Sequence, residues 1–308
     1  MYSLKYNMFI SLSFRGILPS YIIESIHQIR IFFSGDVYLI IDDIHSPFLE
    51  SLKIYNVIFV PYEEVVSDLF IEVVNKNIHK FVIVHELIGR EELFIRSFER
   101  FFLLQNLMEK FDLTDVLFLE LDNLIYDDPT QWISSFSKTE LCYMFDNNDR
   151  CSSGLMYVKS KTSLLGFMDY CINFINTTNE LLNEMTALYR YYIENKTMVQ
   201  ILPTYWNNSK SYISELAYMN AGEYSGIFDA LGIGCCLLGL DTHHTYGVIR
   251  TGTKAEWCQI DYTQEKIEWI VDDQGRKRPY IWGNDKWLLI KNLHVHSKDL
   301  KSGLSLIL

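Results

Sequence analysis

The sequence Val116-Leu117-Phe118-Leu119-Glu120-Leu121-Asp122-Asn123 runs from apolar into acidic residues near the middle of the 308-residue chain. The length and the Val, Leu and Phe content of 116–119 are typical of a buried strand in an α/β sheet. Side chains two positions apart on a strand share a face, which predicts that Glu120 and Asp122 lie side by side. Adjacent carboxylates repel unless a cation or hydrogen-bond donors lie between them. The spacing alone fits a divalent-metal site at a strand end and an ordinary acidic strand end equally well.

Apolar runs before this strand predict an alternation of strands and helices. A helix that begins near Pro19 keeps its apolar residues at helical spacing as far as Phe33. A second predicted helix, 91–111, leads directly into the acidic strand. The predicted strands here are 8–14, 37–41, 57–60 and 81–84. Strands alternating with helices predict right-handed βαβ units and a parallel sheet.

The second half of the chain predicts a more mixed order of elements. Strands are expected at 141–145, 155–158 and 288–295, and helices at 163–176 and 180–194. No stretch with the composition of a linker separates the two halves. The sequence therefore predicts a single domain, 1–308.

Composition narrows the class of protein. A net charge of −12 argues against a nucleic-acid-binding protein but permits a phosphorylated small substrate where a metal ion reverses the local field. The six cysteines form no CxxC pair, so reduced core thiols in a reducing compartment are expected. No signal peptide and no run long enough to span a membrane is found, which predicts a cytoplasmic protein without a transmembrane segment.

One further cluster of residues and one arginine can carry chemistry. His294 and His296 share a face of the last predicted strand, and Lys298 follows; imidazoles ligate metals and an ammonium can neutralise a phosphate. Each histidine by itself favours an ordinary polar strand end, whereas the cluster as a unit favours a site more than either histidine does. Arg100 can grip a phosphate, or it can pair at the surface with Glu99 or another acid.

A carboxylate is needed wherever an acceptor hydroxyl must lose its proton. Glu184, in a helical segment, is the first candidate for this general base, and Asp229 and Asp241 are rivals near glycines. An exposed helix glutamate is the alternative for Glu184. The chain has neither a Walker A loop nor GxGxxG after a strand, so the common mononucleotide and dinucleotide motifs are not indicated.

Taken together, these residues resemble the GT-A-type, nucleotide-sugar-dependent glycosyltransferases. Residues 118–123 resemble the DxD motif of that fold, 152–157 the segment behind the donor sugar, and 228–232 and 293–298 its acceptor-side and C-terminal segments. The resemblance implies an α/β, GT-A-like, Rossmann-type mixed sheet that is mostly parallel and flanked by helices. It also implies a nucleotide-sugar-binding half, 1–130, and an acceptor-binding half, 131–308, with a C-terminal metal and diphosphate segment.

The resemblance also implies roles for single residues. Asp122 coordinates Mn²⁺ or Mg²⁺ that bridges the donor diphosphate, and Glu120 contacts the ribose or a metal-bound water. One of His294 and His296 is a further metal ligand, with His296 preferred, and Lys298 stabilises the leaving diphosphate. Glutamate in place of the first aspartate is a departure from the motif. The remaining donor contacts fall on Ser11, Phe14, Arg15, Asp42, Arg100, Asn123, Ser153 and Gly154.

The implied activity is transfer of a hexosyl or pentosyl group from a UDP- or GDP-sugar to a hydroxyl of a glycan or another acceptor. If the anomeric configuration inverts, Glu184 is the expected base and Asp229 the second choice. A nucleotidyltransferase that forms sugar nucleotides shares the acidic strand end and the metal, but usually has a glycine-rich basic loop after the first strand. A non-catalytic carbohydrate-binding protein is the third alternative, since aromatic residues are plentiful.

Overall fold

The computed structural model of the protein describes residues 8–83, 91–240, 251–252 and 258–306. Its strands are β1 (Phe9–Phe14), β2 (Val37–Ile41), β3 (Val57–Pro61), β4 (Val116–Leu119), β5 (Asn123–Ile125), β6 (Leu141–Asn147), β7 (Arg150–Val158), β8 (Val199–Leu202), β9 (Gly226–Ile227), β10 (Ile267–Val271), β11 (Lys277–Gly283), β12 (Lys286–Ile290) and β13 (Asn292–His294). Its helices are α1 (Ile22–Phe32), α2 (Phe48–Leu52), α3 (Asp68–Asn77), α4 (Leu93–Lys110), α5 (Ile133–Phe136), α6 (Lys161–Thr177), α7 (Glu184–Glu194), α8 (Gly232–Leu238) and α9 (Leu300–Gly303).

A seven-stranded central sheet has the order β3-β2-β1-β4-β7-β6-β8. The neighbours from β3 to β4 are parallel, as are β6 and β8, whereas β7 runs antiparallel to both β4 and β6. The parallel arrangement brings the carboxyl ends of β1, β2 and β4 to one edge of the sheet. The predicted mixed, mostly parallel sheet is confirmed.

Helices cover both faces of this sheet, as predicted. On β4, Val116 and Phe118 pack into the core beneath α3, α4, α6 and α7, and Leu117 and Leu119 pack into the core beneath α1 and α5. Burial on both faces explains why β4 is an unbroken apolar run without alternation. The predicted helices are present with boundaries that differ by up to four residues.

Two predicted strands differ in the structure. The run 288–295 is split at Lys291, because β12 pairs with β9 in a four-stranded sheet while β13 pairs with β5 in a two-stranded one. The prediction of a strand at 81–84 is wrong over its described part: Phe81 makes one isolated bridge to Leu182, and 82–83 lie in no strand. Val84 lies outside the described residues. A short apolar run does not reveal whether a neighbouring strand is there to pair with it.

All six cysteines are unpaired, and five of them are buried. None of the helices in the described part of the chain has the length and hydropathy of a membrane-spanning segment.

Candidate active site

A cleft of about 1030 Å³ opens at the carboxyl ends of β1, β2 and β4. Ligand pockets in open α/β sheets lie at this edge, and the volume suits a small-molecule ligand. Seven carboxylates and five cationic side chains are among the described residues that line it: Asp42, Glu91, Glu92, Glu120, Asp122, Asp146 and Glu184, and Arg15, Arg96, Arg100, Arg150 and Lys298.

Glu120 and Asp122 lie in a turn, which corrects the prediction that both sit on a strand. β4 ends at Leu119, and the Asn123 N–H donates to the Glu120 carbonyl at 3.0 Å. The chain then leaves the central sheet, because β5 pairs with β13 instead. The turn still presents both carboxylates to the cleft.

The C-terminal strand brings His294 to these carboxylates. One ligand atom each from Glu120, Asp122 and His294 lies within 4.8 Å of the others. The Nδ1 of His294 is 2.9 Å from the Ala230 carbonyl, an acceptor, so Nδ1 carries the proton and Nε2 faces the carboxylates. Nε2 lies 3.0 Å from Glu120 Oε2 and 3.6 Å from Asp122 Oδ1. We call these three residues the acidic cluster.

Each carboxylate of the acidic cluster gives its other oxygen to a cation. Arg100 Nη1 donates to Glu120 Oε1, and Lys298 Nζ donates to Asp122 Oδ2. Burial by itself raises the pKa of Asp122, but Lys298 and the two histidines outweigh it and hold the pKa well below its usual range. One oxygen per carboxylate therefore remains directed at Nε2 of His294.

Asn123 and Gly154 pack behind the acidic cluster and do not line the cleft. Asn123 is fully buried, and its Oδ1 accepts from Asn292 Nδ2 at 2.8 Å. A Cβ on Gly154 would come within 3.0 Å of both Asn123 Nδ2 and His294 Nδ1. Glycine at 154 is what lets the His294 ring reach its position.

His296, the histidine preferred from the sequence, lines the cleft beside the acidic cluster but is not a member of it. Its ring centroid lies 4.7 Å from that of His294. β13 ends at His294, so the two side chains no longer follow the regular alternation of a strand. The pairing of β13 with β5 is what selects His294.

Arg100 is an internal residue of the cleft, so the surface alternative is not what the structure has. Its Nη2 donates to Ser153 Oγ at 2.8 Å and to Glu184 Oε1 at 3.3 Å. Glu184 is only 6% exposed, and its Oε2 accepts from Ser97 Oγ at 2.7 Å. The exposed-helix alternative for Glu184 is likewise not what the structure has, and Arg100 links Glu184 to the acidic cluster.

Asp229 lies behind the cleft wall rather than in it. It is fully buried, and its carboxylate accepts from the backbone N–H groups of Leu231 (3.0 Å), Ile233 (2.9 Å), Gly234 (2.7 Å) and His294 (3.0 Å). Burial raises its pKa, and the N–H donors oppose that shift. This carboxylate ties the start of α8 to β13, which does not suit it to reach an acceptor as a base. Asp241, the other rival, lies outside the described residues.

Three of the four residues predicted at the first strands line the cleft: Phe14, Arg15 and Asp42. Ser11, the fourth, is fully buried within β1 and does not line it. Asp42 accepts from Arg15 Nε at 2.9 Å and from the Gly16 N–H at 2.8 Å, so it fastens the loop after β1.

Sequence reasoning missed Glu99 and Tyr62. Glu99 is buried on α4 and accepts from Arg15 and Tyr62, and Tyr62 follows directly after β3. The sequence did contain a signal: Glu99 lies between Phe98 and Phe101 on the predicted buried side of a helix. A buried charge needs a partner, so this position predicts an ion pair.

No protein-family model and no curated protein sequence matches the chain. Among solved structures, mouse xyloside xylosyltransferase 1 in its apo form aligns over 65% of this chain and 87% of its own, at 11% identity and a TM-score of 0.46. The apo glycosyltransferase GlyE of Streptococcus pneumoniae aligns over 65% of this chain and 46% of its own, at 14% identity and a TM-score of 0.42. The galactosyltransferase LgtC in complex with donor and acceptor sugar analogues aligns over 64% of this chain and 74% of its own, at 11% identity and a TM-score of 0.42. The alignment thus spans less than half of the GlyE chain, and likeness this remote carries no argument about the activity.

Proposed function

We propose that this protein is a metal-dependent glycosyltransferase that moves a sugar from a nucleotide-sugar donor to a hydroxyl of a glycan or another acceptor. The acidic cluster is the observation that supports this most: Glu120, Asp122 and His294 converge at the sheet edge where α/β proteins bind nucleotides. The order of motifs along the sequence, which resembles GT-A-type enzymes, supports the same proposal.

The residues of the acidic cluster fit Mn²⁺ or Mg²⁺. Two carboxylate oxygens and one imidazole nitrogen face each other, and hard oxygen ligands with one histidine suit Mn²⁺ in particular. With Nδ1 bound to the Ala230 carbonyl, a neutral His294 offers the lone pair of Nε2 to the same region as the two carboxylate oxygens, as three ligands of one metal would. A divalent ion held there would offset negative charge that develops on a leaving diphosphate.

The charges of the cleft also favour a metal. Its described lining has more carboxylates than cationic side chains, so the cleft by itself repels a diphosphate. The lining cations are already committed: Lys298 pairs with Asp122, and Arg100 pairs with Glu120 and Glu184. We propose that Lys298 would bind the diphosphate, and that a metal held by the acidic cluster would offset the charge of Asp122 in its place.

The remaining assignments complete the proposal. A UDP- or GDP-sugar binds with its base near Phe14, Arg15 and Asp42, within the half formed by 1–130. The acceptor enters from the half formed by 131–308, and Glu184 is the base that takes the proton of its hydroxyl. The unpaired thiols support a reducing compartment such as the cytoplasm.

A thermal-shift screen of UDP-, GDP-, CMP- and dTDP-sugars, with and without Mn²⁺, tests the proposal. A donor that binds only the folded protein must raise the melting temperature, and we expect that rise for one donor class only when Mn²⁺ is present. Asp122→Asn should abolish the rise, while Asp112→Asn, whose side chain is 92% exposed, should keep it. An unchanged Mn²⁺-dependent shift in Asp122→Asn would contradict the metal assignment.

The role of Glu184 has its own test. Glu184→Gln keeps the size of the side chain and a hydrogen bond to Ser97, but it cannot take a proton. We expect kcat to fall about 100-fold, in the range for loss of a general base, with little change in KM for the donor. Glu194→Gln, at the exposed end of the same helix, is the control. Normal turnover in Glu184→Gln would remove Glu184 as the base.

A further inference from the structure

A second carboxylate centre, Glu99, lies behind the cleft wall and binds Arg15, which lines the cleft. The side chain of Glu99 is 5% exposed. Oε1 accepts from Arg15 Nη1 at 2.9 Å and from the Tyr62 hydroxyl at 2.8 Å, and Oε2 accepts from Arg96 Nη1 at 3.0 Å. Both oxygens are occupied, so Glu99 is a fixed point to which other residues attach.

Glu99 binds two arginines that line the cleft, Arg15 and Arg96, and the side chain of Arg15 is the less exposed of the two, at 19% against 40%. The Arg15 Nε donates to Asp42 at 2.9 Å, and its Cζ lies 3.3 Å from the centroid of the Tyr62 ring. Two ion pairs in the guanidinium plane and one stacked ring leave the group little freedom to rotate. Burial and Glu99 raise the pKa of Tyr62, which keeps its hydroxyl a donor to Glu99.

The guanidinium of Arg15 is covered on one face by the ring of Tyr62, which does not line the cleft, whereas Arg15 does line it. A ligand in the cleft could stack only on the face that Tyr62 leaves uncovered. A planar cation of this kind stacks on aromatic rings, including nucleobases.

We infer that Glu99 is a positioning residue that holds Arg15 as a flat cationic platform for the nucleobase of the donor. The inference rests on the proposed function, because it needs a nucleotide ligand in the cleft. Glu99 and Arg100 are consecutive on α4 and hold different residues of the cleft lining: Glu99 holds Arg15, and Arg100 holds Glu120 and Glu184. The same helix thus positions the proposed base site and the acidic cluster.

Calorimetry with two ligands, a nucleoside diphosphate and pyrophosphate, each in the presence of Mn²⁺, distinguishes contacts to the nucleobase from contacts to the phosphates. The nucleotide that binds wild type best is chosen from UDP, GDP, CDP, ADP and dTDP. In Glu99→Gln we expect its Kd to rise about tenfold, because Arg15 has to be immobilised on binding, while the Kd of pyrophosphate stays unchanged. Glu109→Gln, at the exposed end of α4, is the matched control.

A double-mutant cycle asks whether Glu99 acts through Arg15. In an Arg15→Ala background, Glu99→Gln should cause no further loss of nucleotide affinity. Arg15→Lys keeps the charge but loses the plane, so it should also weaken the nucleotide and spare pyrophosphate; this variant answers the question even if Glu99→Gln folds poorly.

Three results are decisive. Equal weakening of nucleotide and pyrophosphate in Glu99→Gln, or full additivity with Arg15→Ala, overturns the positioning role. Unchanged nucleotide binding in both Glu99→Gln and Arg15→Lys overturns it as well. Failure of every nucleoside diphosphate to bind wild type overturns the proposed function itself, and is distinguished from the other outcomes because no variant is needed to see it.

Discussion

Asp122 and Asp229 are two buried aspartates that contact the same residue, His294, from opposite sides. Asp229 accepts from the backbone N–H of His294, whereas Asp122 faces the Nε2 of its ring. The partners of Asp229 are rigid backbone groups, and the partners of Asp122 are the side chains of Lys298 and His294. Side-chain partners can exchange for a metal or a ligand and backbone partners cannot. The comparison teaches that burial and charge alone do not distinguish a functional carboxylate from a structural one.

The largest expected effect separates the two aspartates by activity. Asp122→Asn should lower kcat by about 1000-fold, because it removes a proposed metal ligand at the site of developing charge. Steady-state transfer assays with the donor found by thermal shift measure this. Comparable activity in Asp122→Asn and wild type would place both aspartates in the structural class.

The second effect separates them by stability. Asp229→Asn should lower the free energy of unfolding by about 3 kcal/mol, because the amide nitrogen would be a donor facing backbone donors in a fully buried site. Urea denaturation measures the free energy of unfolding, and the decrease should be smaller in Asp122→Asn. Asp112→Asn is the exposed control for both. If Asp122→Asn is the more destabilised of the two, the contrast between backbone and side-chain partners is wrong.

The third effect concerns the ring of His294, which lies between the two aspartates. Gly154→Ala introduces a Cβ that would lie 3.0 Å from Nδ1 of that ring, so the ring has to move. We expect about tenfold weaker Mn²⁺ binding, as for other residues that orient a metal ligand, with little loss of stability. Gly222→Ala, where a Cβ meets nothing within 4 Å, serves as the comparison. Unaltered Mn²⁺ affinity in Gly154→Ala would argue that His294 is not a ligand.

The smallest effect is a pH dependence in the metal-free protein. Lys298 and the histidines hold the folded-state pKa of Asp122 below its unfolded value of about 3.9. A depressed carboxyl pKa contributes stability that is present above the unfolded value and is lost as the pH falls through the folded one. The stability difference between wild type and Asp122→Asn should therefore shrink as the pH falls below 4. A difference that grows below pH 4 would contradict the direction of the shift.

The strands of the first half were predictable because their signals are local. β2 was predicted with its observed limits, and β1 and β3 within one residue, since each is a short apolar run bounded by turn residues. β4 begins at Val116 as predicted but ends at Leu119, before the two carboxylates that were expected on it. The split of 288–295 could not be predicted, because both pieces are apolar and only their partner strands, β9 and β5, differ. The strand predicted at 81–84 was wrong because the sequence does not show which strand, if any, lies beside a run.

The sequence by itself determined a mostly parallel α/β sheet and a pair of carboxylates after the apolar run of a central strand, because hydrophobic periodicity and the end of an apolar run are properties of neighbouring residues. Only the tertiary structure decided that His294 joins Glu120 and Asp122, that Asp229 is held by backbone donors, and that Glu99 holds Arg15. These contacts join distant parts of the chain; the Asp122–Lys298 pair spans 176 positions. A contact between residues so far apart in the chain leaves no local sequence pattern, and it forms here because β13 pairs with β5.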